Sequence, residues 1–279
     1  MPELPEVETI RRDLEKLALG KRVKAVEVIG ARSVRRHRDP GDFVSRLEGH
    51  KITSVSRRGK YIVVGLDGDD VLVIHLGMSG QILRAKGPKE AMAKHTHVCI
   101  TFTQGGQVRF IDPRTFGEMF VAGAAGLEES IPELAHLGFD PVDDVMSWTT
   151  FGEKLLARRA KLKTLLMDQR FVAGIGNIYA DEVLFAAGLR YDRSSETLSS
   201  QEIRRLYRSM VETLQDAIKH RGSSLGDEQY RDLAGSLGSY QKEHKVYNQE
   251  GKACRRCRSK VVRVKTNGRS TYLCPQCQV

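Results

Sequence analysis

The order of apolar and polar positions changes along the chain from a mainly β pattern to a mainly helical one. Apolar residues at helical spacing predict a first helix over residues 5–19, which Gly20 ends. Short β-like segments with Gly- and Asp-rich turns follow at 22–29, 51–56, 60–66, 71–76, 97–103, 107–111 and 116–121. Many short strands without long intervening helices favour an antiparallel sandwich or barrel.

The second half of the chain has helical periodicity. Helices are predicted over 151–168, 177–187 and 200–219, and the last has the strongest apolar stripe. Residues 222–240 are rich in Gly and Ser and are predicted to form a long mobile loop. A polar, Pro-containing stretch at 126–148 is the expected link between the two halves.

Length and charge narrow the class of protein. A chain of 279 residues suggests about two domains, and no apolar run approaches the roughly 20 residues of a membrane helix. Residues 1–150 carry 21 basic and 21 acidic side chains, whereas residues 151–279 carry 24 and 14, which accounts for the net charge of +10. The second half therefore suits a polyanion such as DNA, and a well-solvated basic surface is the alternative. The acidic N-terminus does not look like a secretion signal, so we expect a cytoplasmic protein without a membrane partner.

Four of the five cysteines form two CxxC pairs separated by 16 residues. This spacing is typical of four thiolates around one tetrahedral Zn²⁺, and such a closed set leaves no open position for catalysis. Two disulfides are the alternative, which the missing secretion signal disfavours. Cys99 stands apart and is expected to be a buried apolar residue. We therefore expect one structural Zn²⁺ held by Cys254, Cys257, Cys274 and Cys277.

Two segments of the second half are predicted to contact phosphates. Asn267-Gly268 is a hairpin signal between the cysteine pairs, and residues 252–279 carry eight basic residues and no acidic one. Arg269 would lie at the tip of this hairpin. In the segment 174–178 (GIGNI), glycines permit close backbone approach and a helix begins with free N–H groups. Turn geometry alone is the other explanation of these glycines.

The N-terminus MPELPEVET has the elements of a nucleophile. Removal of Met1 would expose Pro2 as a secondary amine, and an α-amino group with a pKa of about 8 is partly neutral near pH 7. Such an amine can attack a sugar C1′, with Glu3 and Glu6 as acid, base or positioning groups. The structural alternative is that Pro starts a helix and the acids offset its dipole.

Six motifs occur in order: PELPEVET, RGKY at 58–61, HLGMSG at 75–80, DPRTFG at 112–117, AGIGNIYADE at 173–182 and the four-cysteine hairpin. Together they resemble the bacterial formamidopyrimidine-DNA glycosylases (the Fpg/MutM group of the Fpg/Nei family), from Pro2 to Gln278. The resemblance implies a monomeric base-excision repair enzyme at the nucleoid. It would remove 8-oxoguanine and formamidopyrimidines from double-stranded DNA with oxidised or abasic sites, and cut the strand by β,δ-elimination.

The implied fold is α+β and multidomain. An N-terminal helix plus antiparallel β-sandwich would form the catalytic domain over 1–130, followed by a linker at 131–150. A helix–two-turns–helix DNA-binding domain that includes the lesion loop would cover 151–240. The zinc β-hairpin would cover 241–279.

The resemblance also assigns roles by position. Pro2 would be the nucleophile, Glu3 the acid that protonates the opening sugar, Glu6 a supporting carboxylate and Lys60 a lysine near the lesion and its phosphate. A surface strand lysine is the structural alternative for Lys60. The positions that match phosphate contacts are His75, Asn177, Tyr247 and Arg269, with Lys163 as a helper lysine.

Three further positions match residues that fill the space left by a flipped base. Met78 and Phe116 would be apolar wedges, and Arg114 would hydrogen-bond the orphaned cytosine. Core packing is the alternative for the two apolar residues. Residues 222–240 depart from the DYVxxxGxxG-like run of other members, so the resemblance assigns no role to Ser223 or Tyr230.

Two other functions stay open on the sequence alone. One is a Nei (endonuclease VIII)-type enzyme for oxidised pyrimidines, which Leu4 and the Met78, Arg114 and Phe116 set disfavour. The other is a non-catalytic zinc-finger DNA-binding protein, which would not need a freed Pro2 beside carboxylates.

Overall fold

The computed structural model describes residues 2–226 and 228–279. Met1, Asp227 of the 222–240 segment and the side chains of Glu129 and Ser130 lie outside the described residues. The chain divides into two compact units. The first runs to Ala135 and includes His220–Ser239, and the second joins His136–Lys219 to Tyr240–Val279. Most of the loop predicted at 222–240 thus groups with the first unit, whereas the expected domain boundaries placed this loop with the helical region.

The first unit begins with helix α1 (Leu4–Ala18), which buries Val7, Ile10 and Leu14. A 3₁₀ turn (Ala31–Val34) and helices α2 (Pro40–Ser45), α3 (Leu127–Ser130) and α4 (Pro132–Ala135) accompany its sheets. The strands are β1 (Val23–Val28), β2 (Ile52–Arg58), β3 (Tyr61–Leu66), β4 (Asp70–His75), β5 (Gln81–Ala85), β6 (Thr96–Phe102), β7 (Gln107–Ile111) and β8 (Glu118–Gly123).

These strands form two antiparallel four-stranded sheets, in the orders β1-β6-β7-β5 and β2-β3-β4-β8. Apolar residues from both sheets and from α1 fill one core. The expected helix and antiparallel sandwich are therefore confirmed. The sequence pattern missed β5, because its buried residues Ile82 and Ala85 do not alternate with period two. The last strand begins at Glu118 rather than at Phe116, which leaves Phe116 in a loop.

The second unit is helical, with a C-terminal hairpin. Its helices are α5 (Trp148–Leu156), α6 (Leu162–Met167), α7 (Asn177–Ala187) and α8 (Ser200–Lys219), with 3₁₀ turns at Ser195–Thr197 and Tyr240–Lys242. Strands β9 (Val262–Thr266) and β10 (Arg269–Leu273) pair antiparallel. Within the described chain, no helix has the length and apolar character needed to cross a membrane.

The single helix expected over 151–168 is wrong, because the chain breaks between α5 and α6. Lys161 pairs with Ser194 in an antiparallel bridge, and the Ser195 N–H donates to the Ala160 carbonyl at 2.9 Å. These contacts take up backbone groups that would otherwise continue the helix. Non-local pairing therefore overrides the local helical pattern.

Candidate active site and nucleic-acid interface

The start of α1 places two carboxylates beside Pro2. Pro2 is buried, and Glu3 and Glu6 are 2% and 1% exposed. The Glu3 N–H donates to Glu6 Oε2 at 2.8 Å, and the Glu3 side chain accepts the Glu6 N–H in return. This reciprocal capping box fixes both carboxylates next to Pro2.

The other oxygen of Glu6 binds the 220–239 segment. The Ser223 N–H donates to Glu6 Oε1 at 2.7 Å. Gly222 has φ +78°, and a Cβ at this position would lie 2.7 Å from Glu6 Oε1. Only glycine permits both this backbone conformation and this approach. The segment therefore helps to orient Glu6 through its backbone.

Tyr230, whose role the resemblance left unassigned, is part of the core of the first unit. It is 6% exposed, and its hydroxyl donates to the Arg221 carbonyl at 2.9 Å. Burial raises the pKa of Tyr230 well above its usual value. Arg221 in turn forms ion pairs with Asp13 and with Asp232. Tyr230 thus anchors the segment by packing.

A buried ion pair supports the turn that carries Lys60. Arg57 lies 3.1 Å from the Glu8 carboxylate and donates to the Gly59 carbonyl at 3.0 Å. Burial opposes ionisation of Glu8, but hydrogen bonds from two further arginines of α1 and the charge of Arg57 hold its pKa below the usual value. The pair joins α1 to the β2–β3 turn. The sequence alone did not indicate a structural role for Glu8 or for Arg57.

His75 ends β4 and stacks on Tyr61 with ring centroids 4.5 Å apart. Burial lowers the pKa of His75 to about 4; the nearby cations, Lys60 first among them, act in the same direction and Glu118 opposes them. The imidazole is therefore neutral at pH 7. It can donate an N–H to a phosphate without the cost of burying a charge.

The three residues that match void-filling positions lie on two loops of the first unit. Phe116 is 45% exposed, so core packing does not explain it. Arg114 is also exposed, and its guanidinium lies 5.0 Å from the centre of the Phe116 ring. Met78 is partly buried in the turn after β4.

Asp112, a residue that the sequence did not single out, ties these two loops together. It is fully buried and accepts a hydrogen bond from the Ser79 hydroxyl at 2.6 Å. It also accepts the N–H groups of Arg114 at 3.1 Å and Gly117 at 2.7 Å. One carboxylate therefore sets the backbone next to all three void-filling candidates.

In the second unit, α6, the start of α7 and the hairpin meet at the Ser270 carbonyl. Asn177 Nδ2 and Lys163 Nζ both donate to it at 3.1 Å. The Asn177 Oδ1 atom is buried and has no hydrogen-bond partner in the described part of the chain. Arg269, the residue before Ser270, is exposed at the start of β10. This arrangement places the helix N-terminus next to the hairpin.

Lys163 has an environment that differs from the DNA contact expected of it. It is 4% exposed and lies 2.8 Å from the Asp181 carboxylate. Its amino group also donates to Thr271 Oγ1 at 2.9 Å. Surrounded by protein acceptors, this lysine connects α6 and α7 to β10.

Glu182 holds the segment that contains Tyr247. The carboxylate is 2% exposed and accepts the N–H groups of Lys245, Val246 and Tyr247 at 2.8, 3.0 and 2.8 Å. The Tyr247 ring packs edge-on against Tyr272 at 5.1 Å. The signal in the sequence was a pair of acids inside an otherwise apolar helix, which predicts buried partners.

The four C-terminal cysteines fit a zinc ion. Their sulfur atoms all lie within 4.8 Å of one another, with Cys254–Cys277 at 3.9 Å and Cys257–Cys274 at 3.4 Å. Zn–S bonds of about 2.3 Å in a tetrahedron separate the sulfurs by about 3.8 Å. All four thiols are free of disulfides, and so is Cys99, which is buried as expected.

Models of three protein families match the chain in succession. The Formamidopyrimidine-DNA glycosylase N-terminal domain matches residues 1–119, and the Formamidopyrimidine-DNA glycosylase H2TH domain matches residues 137–229. The zinc finger found in FPG and IleRS matches residues 251–279. The helix–two-turns–helix region and the zinc finger expected from the sequence are thereby confirmed, as is the structural zinc site.

Two relatives that match over their full length have the same name. The formamidopyrimidine-DNA glycosylase of Pelotomaculum thermopropionicum is 39% identical over 278 residues, covering 100% of this chain and 99% of its own. That of Brevibacillus brevis is 41% identical over 280 residues, with the same coverage.

Solved structures agree with this similarity. The MutM (Fpg) protein of Thermus thermophilus superposes with a TM-score of 0.88 at 39% identity, over 99% of this chain and 98% of its own. Lactococcus lactis Fpg in complex with N7-benzyl-Fapy-dG-containing DNA has a TM-score of 0.89 at 36% identity, over 99% of each chain. The chain belongs to the formamidopyrimidine-DNA glycosylase (Fpg/MutM) family of bifunctional DNA glycosylase/AP lyases.

Proposed function

We propose that this chain removes oxidised purines, including 8-oxoguanine and formamidopyrimidines, from double-stranded DNA and cleaves the strand at the resulting abasic site by β,δ-elimination. Family membership and the DNA complexes of its relatives support the activity; one relative is bound to DNA that contains an abasic site. The observation that carries the chemistry is the buried Pro2 with Glu3 and Glu6 fixed beside it. We place the enzyme in the bacterial cytoplasm, at the nucleoid.

In the proposed reaction, the nitrogen lone pair of Pro2 forms a bond to C1′ once Met1 is removed. The bond between C1′ and the base breaks, and the base leaves with the electron pair and takes up a proton. Glu3 donates a proton to O4′ as the sugar ring opens, which leaves an iminium ion between Pro2 and C1′. Loss of a C2′ proton expels the 3′ phosphate, and loss of the C4′ proton then expels the 5′ phosphate, which cuts the strand on both sides of the sugar. Water hydrolyses the iminium ion and frees Pro2. Glu6, held by two N–H groups, keeps Glu3 and Pro2 in place.

The remaining candidates, apart from Lys163, bind DNA in this proposal. Turning a base out of the duplex costs a few kcal/mol of stacking free energy, and side chains that fill the vacated space offset this cost. Met78 and Phe116 fill that space, and Arg114 hydrogen-bonds the orphaned cytosine. Lys163 supports β10 from inside the second unit and does not contact DNA. When bound, Zn²⁺ holds the hairpin that presents Arg269 and takes no part in the chemistry. The proposed phosphate contacts are Lys60, His75, Asn177, Tyr247 and Arg269.

Borohydride trapping tests the nucleophile. We expect the enzyme to become covalently linked to a duplex that contains 8-oxoguanine opposite cytosine, because borohydride reduces the iminium ion to a stable amine. Pro2→Gln, or a chain that retains Met1, lacks the secondary amine and should give no adduct while still binding a duplex with an abasic-site analogue. Pro5→Ala, which removes the neighbouring proline of α1, is the matched control and should trap normally.

Two results would contradict the proposal. An adduct that peptide mapping places on a lysine would remove Pro2 from the reaction. Faster trapping on duplexes with oxidised pyrimidines than on those with 8-oxoguanine would assign the chain the Nei-type preference instead.

A further inference from the structure

The loop that presents Phe116 is held from its outer side by arginines of the segment 31–36, which begins with the 3₁₀ turn Ala31–Val34. We propose that Arg35 is a positioning residue that preorganises Phe116 for insertion at the vacated base position. The proposal rests on the proposed function, because it assumes that Phe116 enters DNA.

One guanidinium binds two successive carbonyls of the loop. Arg35 Nη1 donates to the Gly117 carbonyl at 2.9 Å, and Nη2 donates to the Phe116 carbonyl at 3.4 Å. Nη2 also lies 3.0 Å from the carboxylate of Glu118, the first residue of β8. The planar fork of arginine suits such paired acceptors, which an ammonium group cannot bind in the same geometry. The backbone directly after the wedge is thereby fixed.

The carbonyl of Thr115, the residue before Phe116, accepts a hydrogen bond from a second arginine. Arg32 Nε donates to the Thr115 carbonyl at 3.3 Å. Thr115 has φ +54°, a left-handed conformation that is unfavourable for a β-branched residue. Strain of this kind persists only where the surroundings impose it. Arginine N–H groups on three successive carbonyls, together with the buried Asp112 on the inner side, supply that restraint.

The same loop is in direct backbone contact with the turn that carries Met78. A Cβ on Gly77, which has φ +60°, would lie 2.6 Å from the Gly117 nitrogen. The two loops therefore pack without an intervening side chain. A displacement of the Phe116 loop would also displace Met78, so holding one loop positions both apolar wedges.

The arginine-bearing segment is itself firmly anchored. Val34 is 2% exposed in the core of the first unit. His37 Nε2 accepts the Val121 N–H of β8 at 2.9 Å, and its Nδ1 lies 2.6 Å from the Asp42 carboxylate. Because Val34 and His37 fix the backbone on either side of Arg35, Arg35 holds the loop against a rigid support. A preorganised wedge loses little conformational freedom when it enters DNA.

A double-mutant cycle tests whether Arg35 acts through Phe116. The variants are Arg35→Gln, Phe116→Ala and their combination, with Arg38→Gln as control because it removes the same charge from an exposed arginine close by in the chain. One readout is single-turnover excision of 8-oxoguanine. The other is the fluorescence of a 2-aminopurine beside an abasic-site analogue, which reports unstacking on binding and requires no catalysis.

We expect Arg35→Gln to slow excision about tenfold and to lower the fluorescence change, and to have no further effect in the Phe116→Ala background, since coupled residues are non-additive. Arg35→Gln should leave the salt slope of binding unchanged, Arg35→Lys should not restore the fluorescence change, and thermal unfolding should show each variant folded. Arg38→Gln should match wild type.

Additive effects of Arg35→Gln and Phe116→Ala would overturn the proposal. So would a salt slope lowered by about one with an unchanged fluorescence signal, because Arg35 would then be a phosphate contact. Absence of excision by the wild-type enzyme would contradict the proposed function, and the fluorescence cycle would still decide the role of Arg35.

Discussion

At the scale of single residues, the surroundings decide what each side chain can do. His75 is a histidine whose pKa burial lowers to about 4, so it acts as a neutral group. Lys163 is a lysine whose charge is paired with Asp181 inside the second unit. Phe116 is an aromatic residue kept at the surface by a loop bound on both sides. In each case a non-local contact changes the role that residue type alone suggests.

The lowered pKa of His75 predicts a pH dependence of stability. The unfolded chain binds a proton at His75 near pH 6.5, whereas the folded chain binds it only near pH 4. The free energy of unfolding should therefore fall as the pH is lowered from 6.5 to 4, by on the order of 3 kcal/mol from this group. His75→Gln should remove that part of the loss, as measured by urea unfolding at pH 7.5, 5.5 and 4.5.

His50→Gln is the control for this measurement, because it removes an exposed imidazole from the same unit. His244 also has a pKa that burial lowers to about 4, but it contributes equally to both proteins. If His75→Gln loses as much stability on acidification as wild type, the folded protein does not exclude a proton from His75.

The motif residues could be identified from the sequence because each lies within a short segment and the segments occur in a fixed order. The buried residues that hold these segments in place could not be identified in this way. Asp112 contacts Ser79 across 33 positions, and Arg57 contacts Glu8 across 49. No local pattern contains such contacts. The buried state of Lys163 was missed for the same reason, since its partner Asp181 and acceptor Ser270 lie on other elements.

At the scale of elements, α7 organises the second unit. Its N-terminus carries Asn177, and its buried Asp181 accepts the Tyr272 N–H of β10 at 2.9 Å. Glu182, the next residue, binds the 245–247 segment. Two adjacent acids thus connect this helix to the two other segments of the second unit that carry proposed phosphate contacts, the hairpin with Arg269 and the 245–247 segment with Tyr247.

Glu182→Gln should loosen the 245–247 segment. A carboxamide oxygen in the position of Oε1 can still accept all three N–H groups, but the NH₂ group then replaces Oε2 and faces the Lys245 N–H, which loses its shorter hydrogen bond of 2.8 Å. We expect a loss of about 2–3 kcal/mol in the stability of the second unit. Amide hydrogen exchange should accelerate at Lys245, Val246 and Tyr247, with weaker DNA binding. Glu153→Gln, on the exposed face of α5, is the control. Unchanged exchange at these amides would show that Glu182 does not hold the segment.

Elements were predictable where one local signal dominated. The Asn267-Gly268 hairpin formed as expected, with both residues at positive φ, as a type I′ turn requires. Helices α7 and α8 have the expected bounds. The break between α5 and α6 was not predictable, because pairing of Lys161 with Ser194 outweighs a continuous helical pattern.

At the scale of the whole molecule, chain order and spatial grouping differ. The H2TH family model runs continuously to residue 229, yet His220–Ser239 folds with the first unit. There, Arg221 binds Asp13 of α1, and Ser223 binds Glu6. A contiguous reading of the sequence assigned this segment to the helical domain, because nothing in its own composition reveals a partner more than 200 positions earlier.

The uneven charge of the chain makes a prediction about DNA binding. The whole net charge of +10 comes from residues 151–279, and Arg269 is exposed at the tip of the zinc hairpin. If Arg269 neutralises one phosphate, Arg269→Ala should weaken binding to all sequences alike and reduce the slope of log K against log salt by about one. Arg208→Ala is the matched control, because it removes one charge from the exposed face of α8 in the same unit. Fluorescence anisotropy with duplex DNA from low to physiological salt measures both slopes. Equal slopes for the two variants would mean that Arg269 contributes only to the long-range electrostatic attraction of DNA and contacts no phosphate.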